Sequence, residues 1–303
     1  MGKSAARIAH RSSFLLPPPV LRQMKKIWRW PRFWSEMSQA KQGFRAHSQK
    51  YAKPTLFVAG LPKSGTTWLE SMLKSFDGYH AMGHPANTSW ELSHNGSHHF
   101  EIPAGFFESF EGGLCVIKLH CHGSQNNLQR LAEAGVPYVV LYRDLRDAAV
   151  SHVFYVKRTP WHPEYPAYRD LDTQQGLAHF SRTLLPEWRD WIRSWRAGAD
   201  PKHSMVTSYE SMKQEPLERM EQVAELFGLP QEPLPEIVDA CSFSNMNKGG
   251  SFFRKGKSGD WMNHFTPELR RQFGDVIADD LVAWGYETDD QWVHATEPVA
   301  APS

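Results

Sequence analysis

The stretch from Thr55 to Leu73 restricts the fold more than any other part of the chain. Residues 56–59 are apolar and predict a buried strand, and the following segment, Gly60 to Thr67, contains two glycines, a proline and a lysine. An apolar pattern of helical spacing begins at Trp68. A strand, a tight glycine-rich loop and a helix N-terminus together bind anions, because backbone N–H groups point inward and the helix dipole adds positive potential. The sequence therefore predicts an anion-binding loop between a strand and a helix.

The order of residues in this loop differs from the common nucleotide-binding pattern. In G-x-x-x-x-G-K-[ST] the lysine directly follows the second glycine. Here Thr66 occupies that place, and Lys63 comes two residues before Gly65. The loop is therefore close to a P-loop without being that of a nucleotide triphosphatase.

The composition limits the class of protein. With 303 residues, 41% of them apolar, the chain is long enough for one large α/β domain or two small ones. A formal net charge of +1 provides no overall field for nucleic acid or an anionic membrane, so any anion site must be local. Three widely spaced cysteines without a CxxC pair favour a reducing compartment. The lack of ~18 consecutive apolar residues and of a secretory leader predicts a soluble, cytoplasmic protein.

The chain is expected to have three parts. Residues 1–50 form an N-terminal extension, residues 51–290 form the domain, and residues 291–303 are expected to be a flexible tail. The extension is basic and rich in tryptophan, and its first 30 residues contain no acidic side chain. Three interpretations stay open: an amphipathic helix that contacts a membrane through residues 20–34, an organelle-targeting leader, or an extension whose tryptophans pack on the domain.

Two continuous apolar strands are predicted at residues 113–119 and 137–142, separated by a helix over 124–134. Strands without polar alternation, joined by helices, favour a parallel sheet covered by helices on both faces. A further strand is expected at 203–209, with helices at 177–195 and 217–228. In such sheets ligands bind beyond the carboxyl ends of the strands. The anion-binding loop, residues 118–120 and Arg143 all fall at that edge.

Residues 77–112 show no clear periodicity and contain several histidines. His94, His98 and His99 have no regular ligand spacing, and no nearby cysteine or aspartate cluster completes a metal site. We therefore expect a long irregular loop over the binding face, and no metal.

The segment P-K-S-G-T-T-W, Pro62 to Trp68, resembles at every position the loop of the cytosolic-type sulfotransferase family, P-K-S/A-G-T-T-W. The resemblance covers most of residues 52 to 273. It implies a single α/β domain with a P-loop-like sulfotransferase fold. It also implies transfer of a sulfuryl group from 3′-phosphoadenosine 5′-phosphosulfate (PAPS) to a hydroxyl of a small-molecule acceptor, without an obligatory metal.

The resemblance also implies a set of catalytic residues. The family has K-x-H at the end of its second strand, which Lys118, Leu119 and His120 match, so His120 is expected to be the general base. A histidine suits this task at neutral pH because its ordinary pKa is near ~6.5. His122, two residues further on, is the rival candidate. The family's loop lysine stabilises the leaving nucleotide oxygen, a role that falls to Lys63.

Donor binding is implied for residues from both ends of the chain. The family holds the 3′-phosphate with an arginine and with a serine eight residues later, which Arg143 and Ser151 match; the serine also restrains the loop lysine. The signature R-K-G-x-x-G-D-W is matched over residues 254–261. The complete set implied to bind the donor is Lys63, Ser64, Gly65, Thr66, Thr67, Trp68, Arg143, Ser151, Tyr209, Cys241, Phe243, Arg254, Lys255 and Gly256. Lys118 is implied to hold the sulfate.

The chain departs from the family pattern in two places. Cys241 stands where the family usually has a hydroxyl residue. The family's dimer segment, K-x-x-x-T-V-x-x-x-E, should begin at Met262, but only Thr266 survives, with Pro267 and Arg271 at two other positions. We therefore expect a monomer, or a dimer that does not use this segment.

Other functions remain open from the sequence. An amine or glycan acceptor would need the same donor site. A P-loop kinase would need a lysine at position 66, which is absent, and an acidic Mg²⁺ ligand after a strand, where Asp144 stands. A catalytically silent nucleotide-binding protein is a further alternative. The acceptor itself is not predicted, because residues 157–175 follow no pattern: Trp161, His162, Tyr165 and Tyr168 either wall an acceptor pocket or pack the loop.

Overall fold

The computed structural model describes residues 17–94, 96–242, 245 and 257–295. Its centre is one five-stranded parallel sheet. The strands are β1 Thr55–Gly60, β2 His80–Met82, β3 Cys115–Leu119, β4 Tyr138–Tyr142 and β5 Ser204–Ser208. Their order is β2-β3-β1-β4-β5. After β1 the chain adds β2 and β3 on one side of this strand, and then β4 and β5 on the other side. This change of side leaves a crevice at the carboxyl end of β1.

Helices surround the sheet and connect its strands. They are α1 Pro18–His47, α2 Thr66–Leu73, α3 Pro85–Ser93, α4 Gln125–Glu133, α5 Leu145–Val156, α6 Tyr165–Tyr168, α7 Thr173–Thr183, α8 Leu185–Gly198, α9 Tyr209–Gln214, α10 Pro216–Phe227, α11 Leu234–Ala240, α12 Pro267–Ala283 and α13 Gln291–His294. Short 3₁₀ turns lie at Ser48–Lys50, Phe107–Phe110 and Asp260–Asn263.

Alternate residues of each central strand enter different helix layers. In β1, Leu56 and Val58 pack with α2, α10 and α11, whereas Phe57 and Ala59 pack in a larger core with α1, α5, α7, α8 and α12. All four side chains are fully buried. This two-sided burial explains why the strands read as continuous apolar runs. The predicted α/β domain with a central parallel sheet and helices on both faces is confirmed.

Two predictions of secondary structure were wrong. Residues 77–112, expected to form an irregular loop, include the edge strand β2 and the helix α3, which Pro85 begins and the His84 ring caps by accepting from Ala86 N at 3.1 Å. The helix expected over 177–195 is two helices, α7 and α8, that meet at Leu184. Pro186 explains the break, because it cannot donate the hydrogen bond that would continue α7.

The N-terminal helix α1 is docked on the larger core. Phe33, Met37 and Ala40 are at most 2% exposed, and the Ala40 carbonyl accepts from Leu114 N at 3.1 Å. The other side of α1 carries exposed tryptophans, among them Trp34. Among the described residues, no helix has both the length and the apolar character needed to cross a bilayer.

The first residues of the expected tail have defined neighbours. Trp292 of α13 is buried against α12, so the first residues of the expected tail are helical.

The segment that corresponds to the family's dimer motif forms the start of α12. Thr266 caps this helix by accepting from Leu269 N at 3.3 Å, and Pro267 occupies the first turn. The oligomeric state itself stays a prediction.

The docking of α1 gives a stability prediction with an internal control. Phe33→Ala should lower the free energy of unfolding by about 3–5 kcal/mol, because it empties a site between Phe110 and the His84 ring. Trp34→Ala, which removes a larger but 60% exposed side chain, should cost about 0.5 kcal/mol or less. Urea denaturation of both variants is the measurement. Equal losses would contradict the docking of α1.

Candidate active site

One cavity of about 550 Å³ lies at the carboxyl ends of β1, β3 and β4. Most of the residues implied by the sequence to act in catalysis or donor binding line it. They are Lys63, Gly65, Thr66, Thr67, Trp68, Lys118, His120, Arg143, Ser151 and Tyr209. These residues come from five separate elements and are brought together by the strand order.

The loop after β1 has an unusual backbone. Lys63 has φ of 66°, the only non-glycine residue with positive φ among those the structure describes. Such a conformation costs a non-glycine residue about 1–2 kcal/mol, so the loop stores a small strain at this lysine. Gly65 has φ of 81°, and a Cβ there would lie 2.6 Å from the Tyr209 ring. Glycine is therefore required for the loop to pack on Tyr209 and to begin α2.

Lys63 lies among other cations. Its Nζ is 3.8 Å from the centre of the Tyr155 ring. Burial, with smaller contributions from Arg158, Arg143 and Lys118, lowers the pKa of Lys63 to about 7. Near neutral pH the ammonium is therefore partly deprotonated, and an anion bound beside it would restore its charge.

Lys118 is held at the end of β3 by partners on α2. Its Nζ lies 3.0 Å from Glu70 Oε2 and donates to Thr67 Oγ1 at 3.3 Å. This contact fixes the lysine beside the first turn of α2. Since the first N–H groups of a helix have no partner within it, they and Lys118 present donors to the same point of the cavity.

His120 is oriented by the backbone of β1. Its Nδ1 is hydrogen-bonded to the Gly60 carbonyl. A carbonyl only accepts, so Nδ1 carries the proton and Nε2 keeps its lone pair. Burial, aided by the nearby His98, Lys118 and Lys63, lowers the pKa of His120 to about 3, against the opposing effect of the Gly60 hydrogen bond. The imidazole is therefore neutral at physiological pH.

Two tryptophans on α8 hold the backbone of the segment that carries His120. The indole of Trp191 donates to the His120 carbonyl at 3.2 Å, and Trp195 donates to the Cys121 carbonyl at 3.0 Å. Their helical spacing predicts from the sequence only that these tryptophans pack in the core. They are buried, but they also anchor the segment that carries His120.

Arg143 connects three parts of the site. Its guanidinium donates to the Lys63 carbonyl at 3.4 Å, to the Lys257 carbonyl at 2.8 Å and to Asp147 at 3.2 Å. It also lies 4.5 Å from the centre of the Tyr209 ring. One side chain thus joins the anion-binding loop, helix α5 and the segment that follows residue 256.

Asp147 was not among the predicted site residues, although the structure gives it a central place. Its carboxylate accepts from Gly259 N at 2.8 Å and from Trp261 N at 2.9 Å, in addition to Arg143. It is 1% exposed. Asp147 therefore ties the end of the second signature, residues 259–261, to Arg143 and through it to the loop. Its place in the first turn of α5 was the only signal in the sequence.

Phe243, Arg254, Lys255 and Gly256 lie outside the described residues.

Two other predicted residues are described but stand behind the cavity wall. Ser64 is fully buried and its backbone N–H donates to the Leu61 carbonyl at 3.3 Å. Cys241 is buried too, and its carbonyl accepts from the Trp68 indole at 2.8 Å. Cys241 therefore acts on the site by positioning Trp68.

His122, the rival base, belongs to a different cluster. Its ring stacks on His99 with centroids 4.2 Å apart. One ligand atom from each of His99, His122 and Glu187 lies within 4.8 Å of the others, a grouping that sequence spacing did not predict. Glu187 already has a partner in His98, whose backbone N–H donates to Glu187 Oε1 at 3.0 Å.

The other end of the cavity is aromatic and polar. Its described walls include Glu91, Leu92, His98, His152, Trp161, His162, Glu164 and Trp188. Trp161 and His162 thus line the cavity, whereas Tyr168 is fully buried and Tyr165 packs on the core. His152 Nε2 lies 2.9 Å from Glu164 Oε2.

Comparison with known proteins places the chain in a family. The model of the sulfotransferase domain family matches residues 53–285. The chain belongs to the sulfotransferase domain family. This sulfotransferase is 25% identical over 309 residues to flavonol 3-sulfotransferase of Flaveria bidentis, covering 91% of this chain and 96% of the relative. It is 29% identical over 271 residues to cytosolic sulfotransferase 5 of Arabidopsis thaliana, covering 77% and 82%.

Solved structures of sulfotransferases share the fold. A mouse sulfotransferase complexed with PAP aligns with a TM-score of 0.57 at 18% identity, covering 85% of this chain and 94% of the other. Retinol dehydratase, in complex with androsterone and the inactive cofactor PAP, aligns with a TM-score of 0.53 at 17% identity, covering 79% and 85%. The predicted family is confirmed, and its membership supports sulfotransferase activity.

The site also weakens the kinase alternative. Asp144, the candidate Mg²⁺ ligand, accepts from Arg146 through both carboxylate oxygens, at 3.0 Å and 2.7 Å, and caps α5 by accepting from Arg146 N. Its oxygens are therefore used by a buried arginine of the same helix turn.

The contacts of Asp147 predict a specific structural loss. Asp147→Ala should lower the free energy of unfolding by about 3–5 kcal/mol, because it removes the nearer of the two carboxylates beside the buried Arg143 and leaves only Glu210, at 3.7 Å. Hydrogen exchange at the amides of Gly259 and Trp261 should accelerate in the same variant. Asp170→Ala removes an exposed carboxylate that also pairs with arginine, and should cost about 0.5 kcal/mol or less. Unchanged exchange at the two amides would contradict the role of Asp147.

Proposed function

We propose that this sulfotransferase transfers a sulfuryl group from PAPS to a hydroxyl of a small-molecule acceptor, with His120 as the general base. The observation that carries the proposal is the tautomer of His120. Its Nδ1 proton is committed to the Gly60 carbonyl, so Nε2 keeps its lone pair, and His120 lines the same cavity as Lys63 and Lys118.

The donor is assigned to the loop end of the cavity. The N–H groups of α2 and the hydroxyls of Thr66 and Thr67 hold the sulfate and the 5′-phosphate, with Lys118 as counter-charge. Arg143 and Ser151 bind the 3′-phosphate. Trp68 and Tyr209, whose rings are 6.1 Å apart at 72°, border the adenine. The mouse sulfotransferase and retinol dehydratase are both described in complex with PAP, the desulfated product of this donor.

The transfer step needs no redox chemistry. The acceptor oxygen forms a bond to sulfur while the bond from sulfur to the bridging oxygen of the 5′-phosphosulfate breaks. The acceptor proton goes to His120 Nε2, and the electron pair stays on the leaving PAP oxygen, where Lys63 stabilises it. As in phosphoryl transfer, positioning and electrostatics supply most of the rate enhancement.

The low pKa of His120 belongs to the protein without its donor. PAPS brings several negative charges next to the imidazole, and nearby negative charge raises the pKa of a histidine. Donor binding therefore moves His120 towards the range in which it can accept a proton, while it stays neutral beforehand and ready to act as a base.

The acceptor is assigned to the aromatic end of the cavity. Trp161 and Trp188 offer flat apolar walls there, which suit a ring-bearing hydroxyl compound. Two of the relatives are named as flavonol sulfotransferases, so flavonols are the first acceptors to test. The carboxylates of Glu91 and Glu164 line the same end, and this observation favours an acceptor that carries an amine as the second candidate. Several relatives are named as cytosolic sulfotransferases, which supports a cytoplasmic location.

Donor binding should be linked to proton uptake. At pH 8, Lys63 with a pKa of about 7 is mostly neutral, and bound PAP raises its pKa. Binding of PAP should therefore take up close to one proton at this pH, and the affinity should fall as the pH rises above 7. Calorimetry in buffers of different ionisation enthalpy measures the uptake. Lys63→Arg, whose guanidinium stays charged, should bind PAP with little uptake.

The same calorimetry tests the donor. PAP should bind without metal and at least about tenfold more tightly than ATP, which has no 3′-phosphate for Arg143. Arg143→Ala should remove that preference. Tighter binding of ATP that depends on Mg²⁺ would reject the proposal in favour of a kinase.

The role of His120 has a matched control in His122. With labelled PAPS and a panel of flavonols and simpler phenols, His120→Gln should lower kcat by about 10²–10⁴-fold and leave PAP affinity within about twofold of wild type. His122→Gln should change kcat by less than about tenfold, because its ring lies in the His99 cluster. Comparable losses in both variants would remove His120 from the role of base.

A further inference from the structure

The exposed apolar residues of the described chain are concentrated on one helix. Of the nine large apolar side chains that are exposed there, six lie on α1. They are Val20, Met24, Ile27, Trp28, Trp30 and Trp34, and together they are named the α1 apolar face. Ile27 and Trp28 are 69% and 68% exposed, and Trp34 is 60% exposed. Apolar surface of this density on a single element marks an interaction site.

The face is continuous along the helix. At 3.6 residues per turn, Met24, Ile27 and Trp34 lie within about 40° of Val20 around the helix axis. Trp28 and Trp30 lie about 80° to either side. The face therefore has three aliphatic side chains and the Trp34 indole near its centre, and one further indole at each edge. The opposite side of α1 is occupied by the domain core through Phe33 and Ala40.

The charge on α1 selects one kind of partner. Residues 17–35 contain five cations and no acidic side chain, and Glu36 is the first carboxylate of the helix. Arg32 has a side chain that is 73% exposed although it pairs with Glu36 at 2.6 Å. Lys26 donates to Ser93 at 2.7 Å, which holds it at the border of the face. A helix with an apolar face, tryptophans at its edges and basic flanks fits the interface of a bilayer that contains anionic lipids.

We propose that the α1 apolar face binds the surface of a bilayer containing anionic lipids, with α1 lying in the plane of the interface. The binding is peripheral. It uses residues 20–34, part of the extension for which the sequence left open membrane contact, an organelle-targeting leader and packing on the domain. The structure divides this segment: Phe33 packs inward, and the tryptophans around it do not.

The position of α1 places the proposed membrane contact beside the acceptor end of the cavity. Lys25 lines the acceptor end of the cavity, and Arg22 Nη1 donates to the carbonyl of Pro163, another lining residue, at 3.5 Å. A bilayer bound to α1 would therefore lie beside the acceptor end. Delivery of a lipophilic acceptor from the bilayer rests on the proposed function, whereas the membrane contact itself does not.

The test is cosedimentation of the full chain with phosphatidylcholine vesicles, with and without phosphatidylglycerol. Wild type should sediment with the anionic vesicles and dissociate at high salt. Trp28→Ser combined with Trp34→Ser should weaken the partition at least about tenfold. A control variant, Leu217→Ser with Val282→Ser, removes two exposed apolar side chains elsewhere and should sediment like wild type. PAP binding, measured on every variant, should be unchanged and shows that the donor site is folded.

Three results would overturn the proposal. Wild type that stays in the supernatant with both vesicle types has no membrane contact. A Trp28 and Trp34 variant that sediments like wild type binds through another surface. A wild-type mass of two chains by light scattering that falls to one chain in the variant, without vesicle binding, assigns the face to self-association. Because vesicle binding requires neither PAPS nor turnover, its failure is distinguishable from failure of the proposed function.

Discussion

The site depends on holding several cations close together inside the protein. Lys63, Lys118 and Arg143 line one cavity, and like charges at short range repel strongly in a medium of low dielectric. Two of them are offset by carboxylates: Glu70 beside Lys118 and Asp147 beside Arg143. Lys63 lies against an aromatic ring and has a lowered pKa instead. The protein therefore fixes two charges permanently and leaves the third to respond to the ligand.

This distribution of charge connects the fold to the proposed chemistry. In the proposed reaction, the two fixed cations would attract the polyanionic donor, and the donor's charge would raise the pKa of Lys63, the lysine assigned to the leaving oxygen. The carboxylates also have structural partners that explain their burial: Asp147 accepts two backbone N–H groups from residues 259–261. Removing the charge of Asp147 would thus disturb both the loop and the C-terminal segment. Binding site and fold share the same hydrogen bonds.

The sequence predicted the parts of the site that lie in contiguous motifs. The loop of β1, the K-x-H of β3 and the arginine after β4 were found because each follows a buried strand, and parallel strands end at one edge. The role of Asp147 was missed because its two backbone partners, Gly259 and Trp261, are more than 100 residues away. The anchoring of His120 by Trp191 was missed for the same reason, since burial alone explains a tryptophan at helical spacing. The strand β2 has three residues, too few for a period to be recognised.

The acceptor end of the cavity shows why sequence motifs do not predict which acceptor the protein binds. Its walls come from five parts of the chain: α1, α3 with the loop after it, α5, the stretch between α5 and α7, and α8. None of them contributes more than a few side chains. A binding surface assembled from so many elements has no linear spacing to detect. The donor end is different, because one anion requires a defined loop, a helix N-terminus and cations at set positions. The chemistry that is common to a family can therefore be predicted from sequence motifs, whereas the choice of acceptor depends on how separate elements pack together.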